Sequence, residues 1–599
     1  MFLPTTRLEM QHLGWDQLDV ILVTGDSYID SPFIGIAVVG KILAQAGYRV
    51  GVIAQPALDT DEDISRLGEP RLFWGVSGGS IDSMVANYTA LMKKRKSDDY
   101  TPGGVNNRRP DRAVIVYANL IRRCFKNTRP IVLGGIEASL RRIAHYDYWS
   151  DRLRGSILFD AKADYLLYGM AETSVGELAQ ALQSGEDPRP IRGVCYLANA
   201  AELAQHAAGY LELPAFEKVK EDHQAFIDMF HLFYRNNDPL NAKGLYQQHG
   251  SRYLVQNPPA FYPTQAELDE VYALGYERLQ HPYYERQGEV KALETIQFSV
   301  STHRGCYGEC NFCAIAVHEG RTVRWRSPQS ILDEVRSFPD HPDFKGLIPD
   351  LGGPTANMYG FECAKKLKSG SCPAKRCLTP DICPVLKIDH QPQLALLRQV
   401  QRIPGVKKVF VASGIRYDMV LGDLQCGRLY LQEVVPHHIS GQMKVAPEHT
   451  EERVLHLMGK PGKDSLLKFK EMFDQITRAA GKEQYLTYYL IAAHPGCTEQ
   501  DMQRLKRFTS QKLKVNPEQV QIFTPTPSTY SSVMYYTGLD PFTRQPIFVE
   551  KDLRRKERQK RTLLQKANQP VAEGKRPARL KTRPAIHSPR PRAARRAPR

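Results

Sequence analysis

The sequence predicts an α/β protein made of a doubly wound, Rossmann-like N-terminal domain, a partial (β/α) barrel and a disordered basic C-terminal tail. Three observations carry this. Between residues 19 and 168, short apolar runs alternate with helix-periodic segments, the pattern of buried parallel strands joined by crossover helices. A second series of such runs lies between residues 295 and 530, each followed by glycine or polar residues, and barrels of this kind gather their working groups at the strand ends. Residues 551–599 hold 18 Lys and Arg against 3 Asp and Glu, which is nearly all of the formal net charge of +16. The body of the chain is therefore close to neutral, and the basic signal belongs to the tail.

The elements follow in order. Asp19-Val-Ile-Leu-Val-Thr-Gly-Asp26 is an apolar run ended by Gly-Asp and reads as the first strand. Residues 34–47 carry apolar side chains at helical spacing with a glycine stop, and residues 48–54 return as a second strand, which closes a βαβ unit. Further strands are expected at 72–76, 113–117, 130–133 and 164–168, so residues 1–210 form the Rossmann-like domain. Residues 211–290 read as a helical linker region whose aromatics, from Phe226 to Tyr234, are core and whose Pro258, Pro259 and Pro263 turn the chain. The barrel spans 291–550. Its first strand is expected at 295–302. Ser327-Pro328 supplies an N-cap and an N1 proline for a helix over 329–337. A second strand near 346–350 ends in Leu351-Gly-Gly-Pro354, and strands starting near Val409, Lys444, Tyr488 and Val520 continue the series. From about Asn568 the chain is rich in Pro, Arg and Ala and poor in large apolar groups, so it cannot offset the entropy of ordering. Residues 551–599 are accordingly assigned to the tail.

Two cysteine sets stand out among the 11 cysteines. Cys306-x3-Cys310-x2-Cys313 offers three thiolates. Thiolates are the usual ligands of iron–sulfur clusters, and an electron carrier takes four. Three leave one iron open, as a catalytic zinc site leaves one position for water or substrate. Cys363-x8-Cys372-x4-Cys377-x5-Cys383 forms a four-cysteine insertion at 360–385. Its ligands suit structural zinc or an auxiliary iron–sulfur cluster and do not choose between them. Cys124, Cys195, Cys426 and Cys497 lack partners at metal spacing and read as buried thiols.

The triad, with Phe312 before its last cysteine, resembles the signature of the radical SAM superfamily. The longer context resembles the YgiQ-type radical SAM proteins from about residue 15 to about residue 550. It runs from Gln297-Phe-Ser-Val-Ser-Thr-His-Arg-Gly-Cys306 through Leu351-Gly-Gly-Pro-Thr-Ala-Asn-Met-Tyr-Gly360 to Val411-Ala-Ser-Gly-Ile-Arg-Tyr417. The resemblance implies a [4Fe–4S] cluster on Cys306, Cys310 and Cys313, with S-adenosyl-L-methionine on the open iron. Its reductive cleavage gives a 5′-deoxyadenosyl radical that removes hydrogen from a substrate. An electron donor such as flavodoxin or ferredoxin is implied as partner. By the same resemblance Gly352, Gly353 and Pro354 form the turn that meets the amino group of S-adenosylmethionine, with Pro354 standing where an acidic residue is usual. Ser413 and Arg416 point toward the cofactor, and a guanidinium matches the methionyl carboxylate. Glu448, with His449, is a candidate ribose contact or acid/base group, and Pro495 and Gly496 lie over the adenine.

The N-terminal unit resembles the cobalamin-binding-like domains that precede many radical SAM barrels, through Leu133-Gly134-Gly135 and Ala163-Asp-Tyr-Leu-Leu-Tyr-Gly169. Tyr28 stands where a cobalamin-ligating histidine would fall, which argues against cobalamin.

Hydrophobic content of 42% and charged content of 24% are those of an ordinary soluble protein. No apolar run reaches the roughly 18 residues of a membrane span, and the N-terminus lacks the pattern of a secretory signal. Cysteines in such a chain read as metal ligands rather than disulfides, which fits a cytoplasmic protein. Three readings of function remain: a radical SAM enzyme, a cobalamin-using radical methyltransferase, and a noncatalytic, metal-stabilised RNA-binding protein whose tail contacts phosphates.

Overall fold

The computed structural model describes residues 1–373 and 376–565; the disorder expected from Asn568 onward falls outside the described residues. Strands β1 (Val20–Thr24) and β2 (Val50–Ala54) are buried along their whole length, which is why both read as unbroken apolar runs. Helix α1 (Gly35–Gln45) joins them. With β3 (Phe73–Ser77), β4 (Ile131–Gly134) and β5 (Tyr165–Leu167) they form five parallel strands in the order β2-β1-β3-β4-β5. This is a doubly wound sheet whose order reverses between β1 and β3, the place where such sheets hold ligands.

The segment 113–117, expected as a strand, is instead the start of helix α2 (Ala113–Cys124). Its buried residues Ala113, Val114, Tyr117, Ala118 and Ile121 follow a helical period, which a five-residue window of β-branched side chains does not reveal. After β4 comes the short α3 (Gly135–Leu140), and after β5 comes α4 (Glu172–Ser184). Helices α1 and α4 cover Leu22, Phe73 and Val132 on one face of the sheet. Helix α2 covers Ile21, Trp74 and Leu133 on the other.

Residues 211–290 are more than a helical linker. Through the antiparallel β6 (Val194–Ala198), strands β7 (Leu211–Leu213), β8 (Leu245–His249) and β9 (Arg252–Gln256) extend the sheet to nine strands, in the order β7-β8-β9-β6-β5-β4-β3-β1-β2. The β8–β9 hairpin closes through Gly250-Ser251, with Gly250 at φ 58°, and Gly-Ser between strands is a hairpin signal. Helix α5 (His223–Arg235) buries Phe226, Phe230 and Phe233.

The barrel follows as successive parallel pairings. Strand β10 (Val300–Ser301) pairs with β12 (Leu351–Gly352), and β11 (Leu347–Ile348) pairs with β13 (Lys408–Val409). Ile415 bridges to Val445 of β14 (Gln442–Glu448), which pairs with β15 (Tyr485–Ala492) and that in turn with β16 (Val520–Ile522). The expected first strand at 295–302 is extended only at Val300–Ser301, because Leu293–Ile296 forms a helical turn. Helices α6 (Pro328–Arg336), α7 (Gln391–Gln401), α8 (Gly427–His437), α9 (Lys463–Ala479) and α10 (Glu499–Phe508) contribute the outer layer. Ser327 caps α6 by accepting from Ser330 N, with Pro328 at N1. No helix of the described residues is long and apolar enough to cross a membrane.

Helices α11 (Tyr530–Thr537) and α12 (Leu553–Leu564) tie the two domains together. Residues 553–564, grouped with the tail on charge, fold back onto the barrel. Lys556, Gln559 and Leu563 form the buried side of α12, while its arginines stay outside. The Gln559 side chain accepts from Ala493 N at 2.9 Å. Lys556 Nζ sits 3.2 Å from the Tyr148 hydroxyl of the N-terminal domain and 2.7 Å from that of Tyr535, and burial pushes its pKa down to about 8. Leu563 is fully buried in the barrel core, whereas Leu564 is 41% exposed. Leu563→Ala is expected to cost about 2–4 kcal/mol in denaturant unfolding, and Leu564→Ala less than about 0.5 kcal/mol; equal effects would mean α12 does not pack as described.

Candidate functional site

The cysteine triad stands on the C-terminal side of the barrel. After β10, residues His303–Arg304 pair antiparallel with Arg324–Trp325, which closes the intervening loop over the strand ends. Gly308 N donates to Cys306 Sγ at 3.3 Å, Thr355 Oγ1 lies 3.6 Å from the same sulfur, and Arg416 Nη1 is 3.7 Å from Cys310 Sγ. A Cβ at Gly308 would lie 3.3 Å from Cys306 Sγ and 3.1 Å from Arg416 Nη1, so the glycine keeps the space between the thiols clear.

Burial pushes the Cys306 and Cys313 thiols up, so their thiolate forms call for a compensating cation, as a bound metal provides. Among the described residues, the group of three or more possible ligands within 4.8 Å of one another is Asp389, Asp423 and Cys426. Neither cysteine set is drawn in to the radius of a single ion. Asp423 is in any case taken up by the backbone of Cys426 and by His390.

Glu309, inside the triad, is fully buried at φ 47°. It faces Arg321 Nε at 2.8 Å, Lys366 Nζ at 3.3 Å and the Tyr234 hydroxyl at 3.1 Å. Burial works to raise its pKa, but the charges of Arg321, Lys366 and Arg376 outweigh it and hold the carboxyl below its ordinary range. Lys366 belongs to the four-cysteine insertion. So does Arg376, which donates to Glu309 O at 2.9 Å and to Asn311 Oδ1 at 2.6 Å. Cys363 and Cys377 of that insertion are buried with Tyr307 and Leu378. Cys383 N donates to Cys377 O at 2.8 Å, and the Cys372 carbonyl accepts from Arg321 at 3.2 Å. The second cysteine set is thus packed against the back of the first loop.

The residues expected at S-adenosylmethionine divide into two groups. Gly352, Gly353, Pro354 and Ser413 line one cavity of 510 Å³. Arg416, Glu448, Pro495 and Gly496 lie outside its lining. Ser413 donates its hydroxyl to Asp350, whose Oδ1 also accepts from Ala412 N at 2.8 Å and Ser413 N at 3.1 Å, so Ser413 serves this turn rather than a free ligand position. Arg416 is held against Asp418, Nε to Oδ1 2.8 Å. Its backbone is fixed by Asn357 in both directions, N to Oδ1 2.8 Å and O to Nδ2 3.1 Å. Asn357 continues to His390 at 3.1 Å and His390 to Asp423 at 2.7 Å. Asp418 is two residues from Arg416, whereas only the fold brings Asn357 to Arg416 and Asp350 to Ser413.

Glu448 occupies a bulge at φ 66°, a conformation that a residue other than glycine adopts at a cost. Burial pushes its carboxyl up, opposed by Lys460 and Arg416. His449 faces Cys497 Sγ at 3.5 Å. Gly496 at φ 86° sits where a Cβ would meet Leu457 at 2.2 Å, and its N donates to Phe548 O. The preceding His494 lies edge-on to Phe312 at 6.3 Å, which brings the Pro-Gly turn against the aromatic of the triad. Tyr28 is fully buried, stacked on His281 at 5.5 Å with its hydroxyl accepting from Leu3 N.

Glu309→Gln would leave Arg321 and Lys366 buried without a counter-charge. Breaking such a pair costs about 3–5 kcal/mol, so both the Tm and the iron bound per chain after reconstitution are expected to fall; an unchanged Tm would show that the network is not what holds the loop.

A family model described as Radical SAM N-terminal matches residues 2–299, and a domain of unknown function, DUF3362, matches residues 518–569. The UPF0313 protein of Fusobacterium nucleatum subsp. nucleatum is 58% identical over 566 residues, covering 94% of this chain and 99% of that protein. That of Thermotoga petrophila is 47% identical over 567 residues, with 94% and 98% covered. Among solved structures, the radical S-adenosylmethionine methyltransferase TsrM from Kitasatospora setae aligns over 86% of this chain and 75% of its own, with 14% identity and a TM-score of 0.48. The cobalamin-dependent S-adenosylmethionine radical enzyme OxsB aligns over 88% and 56%, with 11% identity and a TM-score of 0.47. With near-complete coverage on both sides at 58% identity, the chain belongs to the UPF0313 family and carries a radical SAM N-terminal domain.

Proposed function

We propose that the chain is a radical SAM enzyme in which Cys306, Cys310 and Cys313 hold a [4Fe–4S] cluster with one open iron. The observation that supports the reading is three thiols on one loop at the barrel strand ends, with Gly308 clearing the space between Cys306 and Cys310 and the Arg416 guanidinium beside Cys310. Such a cluster, when bound, supplies the electron that cleaves S-adenosylmethionine reductively. The residues around it have separate tasks. Arg416 offsets the negative charge of the thiolates, and with Asp418 balancing its own charge it presents Nη1 where a carboxylate can meet it. The Gly352-Gly353-Pro354 turn, packed so closely on His303 that a Cβ at Gly353 would lie 2.6 Å from its ring, offers backbone to an ammonium group. Glu448, buried with its carboxyl pushed up, suits a hydroxyl group such as that of a ribose.

For the four-cysteine insertion we propose a second iron–sulfur cluster, which four thiolates can hold as they can a zinc ion; metal counts decide between the two. A corrinoid is not part of the proposal: the Tyr28 ring and hydroxyl are both taken up inside the fold.

Anaerobically reconstituted and reduced protein is expected to form 5′-deoxyadenosine from S-adenosylmethionine, and Cys306→Ala to form none. Equal product from the variant would sink the assignment. Metal counts test the second site. Cys310→Ala is expected to lose the iron of the first cluster and keep the rest, and Cys377→Ala the converse; one zinc per chain lost with Cys377→Ala would replace the second cluster by a zinc site.

A further inference from the structure

The cavity that Gly352–Pro354 and Ser413 line continues into the N-terminal domain. There it becomes a slot between the sheet and its two covering helices, walled by Leu22, Phe73, Val132 and Leu167 from the strands, Val38 from α1 and Val175 from α4. Protein interiors are close-packed and seldom leave such voids. Here the wall carries Gly134, where a Cβ would meet nothing within 4 Å, and an apolar pocket with a few converging polar groups is the ordinary form of a small-molecule site. The slot opens at the β1/β3 reversal, where Gly25 and Gly78 touch so closely that a Cβ on Gly25 would lie 2.2 Å from Gly78 O. From there it leads to the barrel strand ends.

The polar groups at the mouth set the charge of an occupant. Asp26 is paired with Arg109 at 2.7 Å and Glu172 with Arg304. Glu319 accepts from Gly305 N, its carboxyl pushed up by burial against the opposing charge of Arg304, and Asp350 accepts from the turn at Ser413. His303 and His318 are neutral, since burial pushes both down to about 4. Every cation at the cavity is therefore already paired, while carboxyl groups remain. The Ser80 hydroxyl and His318 Nδ1 are buried without a hydrogen-bond partner among the described residues, and a buried polar group left in that state is costly.

We propose that this cavity is the acceptor site, and that it takes a small molecule with an apolar ring or chain for the slot and an uncharged or cationic polar group for the mouth. The identification as acceptor rests on the S-adenosylmethionine reading above, because the turn assigned to that cofactor forms the barrel end of the same cavity. Phosphate-bearing ligands, RNA included, find no free cation there.

Binding can be read without turnover. Reconstituted protein without reductant is titrated, by fluorescence, with three probes that share a ring and differ in charge: 1-naphthylmethylamine, 1-naphthalenemethanol and 1-naphthoate. The amine and the alcohol are expected to bind, and the carboxylate at least about tenfold more weakly. Gly134→Leu plugs the slot: a Cβ at Gly134 meets nothing within 4 Å, and its φ of −155° suits any residue. It is expected to weaken the amine by about tenfold or more. Val39→Phe on α1 is the second plug, used if Gly134→Leu lowers the Tm. Equal affinity for the carboxylate, binding that neither plug disturbs, or no binding of any probe overturns the proposal. Probe binding in a protein that forms no 5′-deoxyadenosine removes the S-adenosylmethionine reading and leaves the ligand site standing.

Discussion

The arrangement depends on one buried carboxylate. Glu309 lies inside the cysteine triad, and taking its charge out of water is affordable only because Arg321, Lys366 and the Tyr234 hydroxyl surround it. These partners come from three parts of the chain: the loop that returns from the triad, the four-cysteine insertion, and α5 of the N-terminal domain. A single charge thus locks the loop in place and obliges the insertion and the N-terminal domain to pack on it. The left-handed backbone at Glu309 is sustained by the same contacts, since strain of this kind persists only where the surroundings over-determine it.

The two sheets meet through their C-terminal edges. A doubly wound sheet offers its reversal point to ligands, and a barrel offers its strand ends. The N-terminal domain sets the first against the second, with Arg304 of the barrel paired to Glu172 of α4 across the junction. Helix α12 closes the assembly from the other side, through Lys556 between Tyr148 and Tyr535. The cavity is therefore a product of the junction between domains.

Legibility in the sequence followed the physics of each element. Strands buried on both faces, such as β1 and β2, announced themselves because burial on both sides selects a nearly unbroken apolar run. The Ser327-Pro328 cap was readable because capping is local. The strand expected at 113–117 turned out to be helix because tertiary burial on one stripe decided it. The strands β7, β8 and β9 were missed because polar residues such as Glu212, Gln247, Gln248 and Arg252 break any apolar run, although Gly250-Ser251 held the hairpin signal. Helix α12 was hidden by composition: its arginines dominate the charge count, while three inward positions decide its fate.

The spacing of the cysteine triad and the neutral body with a basic tail were determined by the sequence alone, because spacing and charge are properties of neighbours along the chain. Which groups stand around the triad was decided only by the tertiary structure. Asn357 behind Arg416, Asp350 behind Ser413, and the charge balance of the cavity mouth all join residues far apart in the chain. Burial gives such contacts their strength, since a hydrogen bond or ion pair matters most where water cannot compete for it, and burial exists only once the chain has folded.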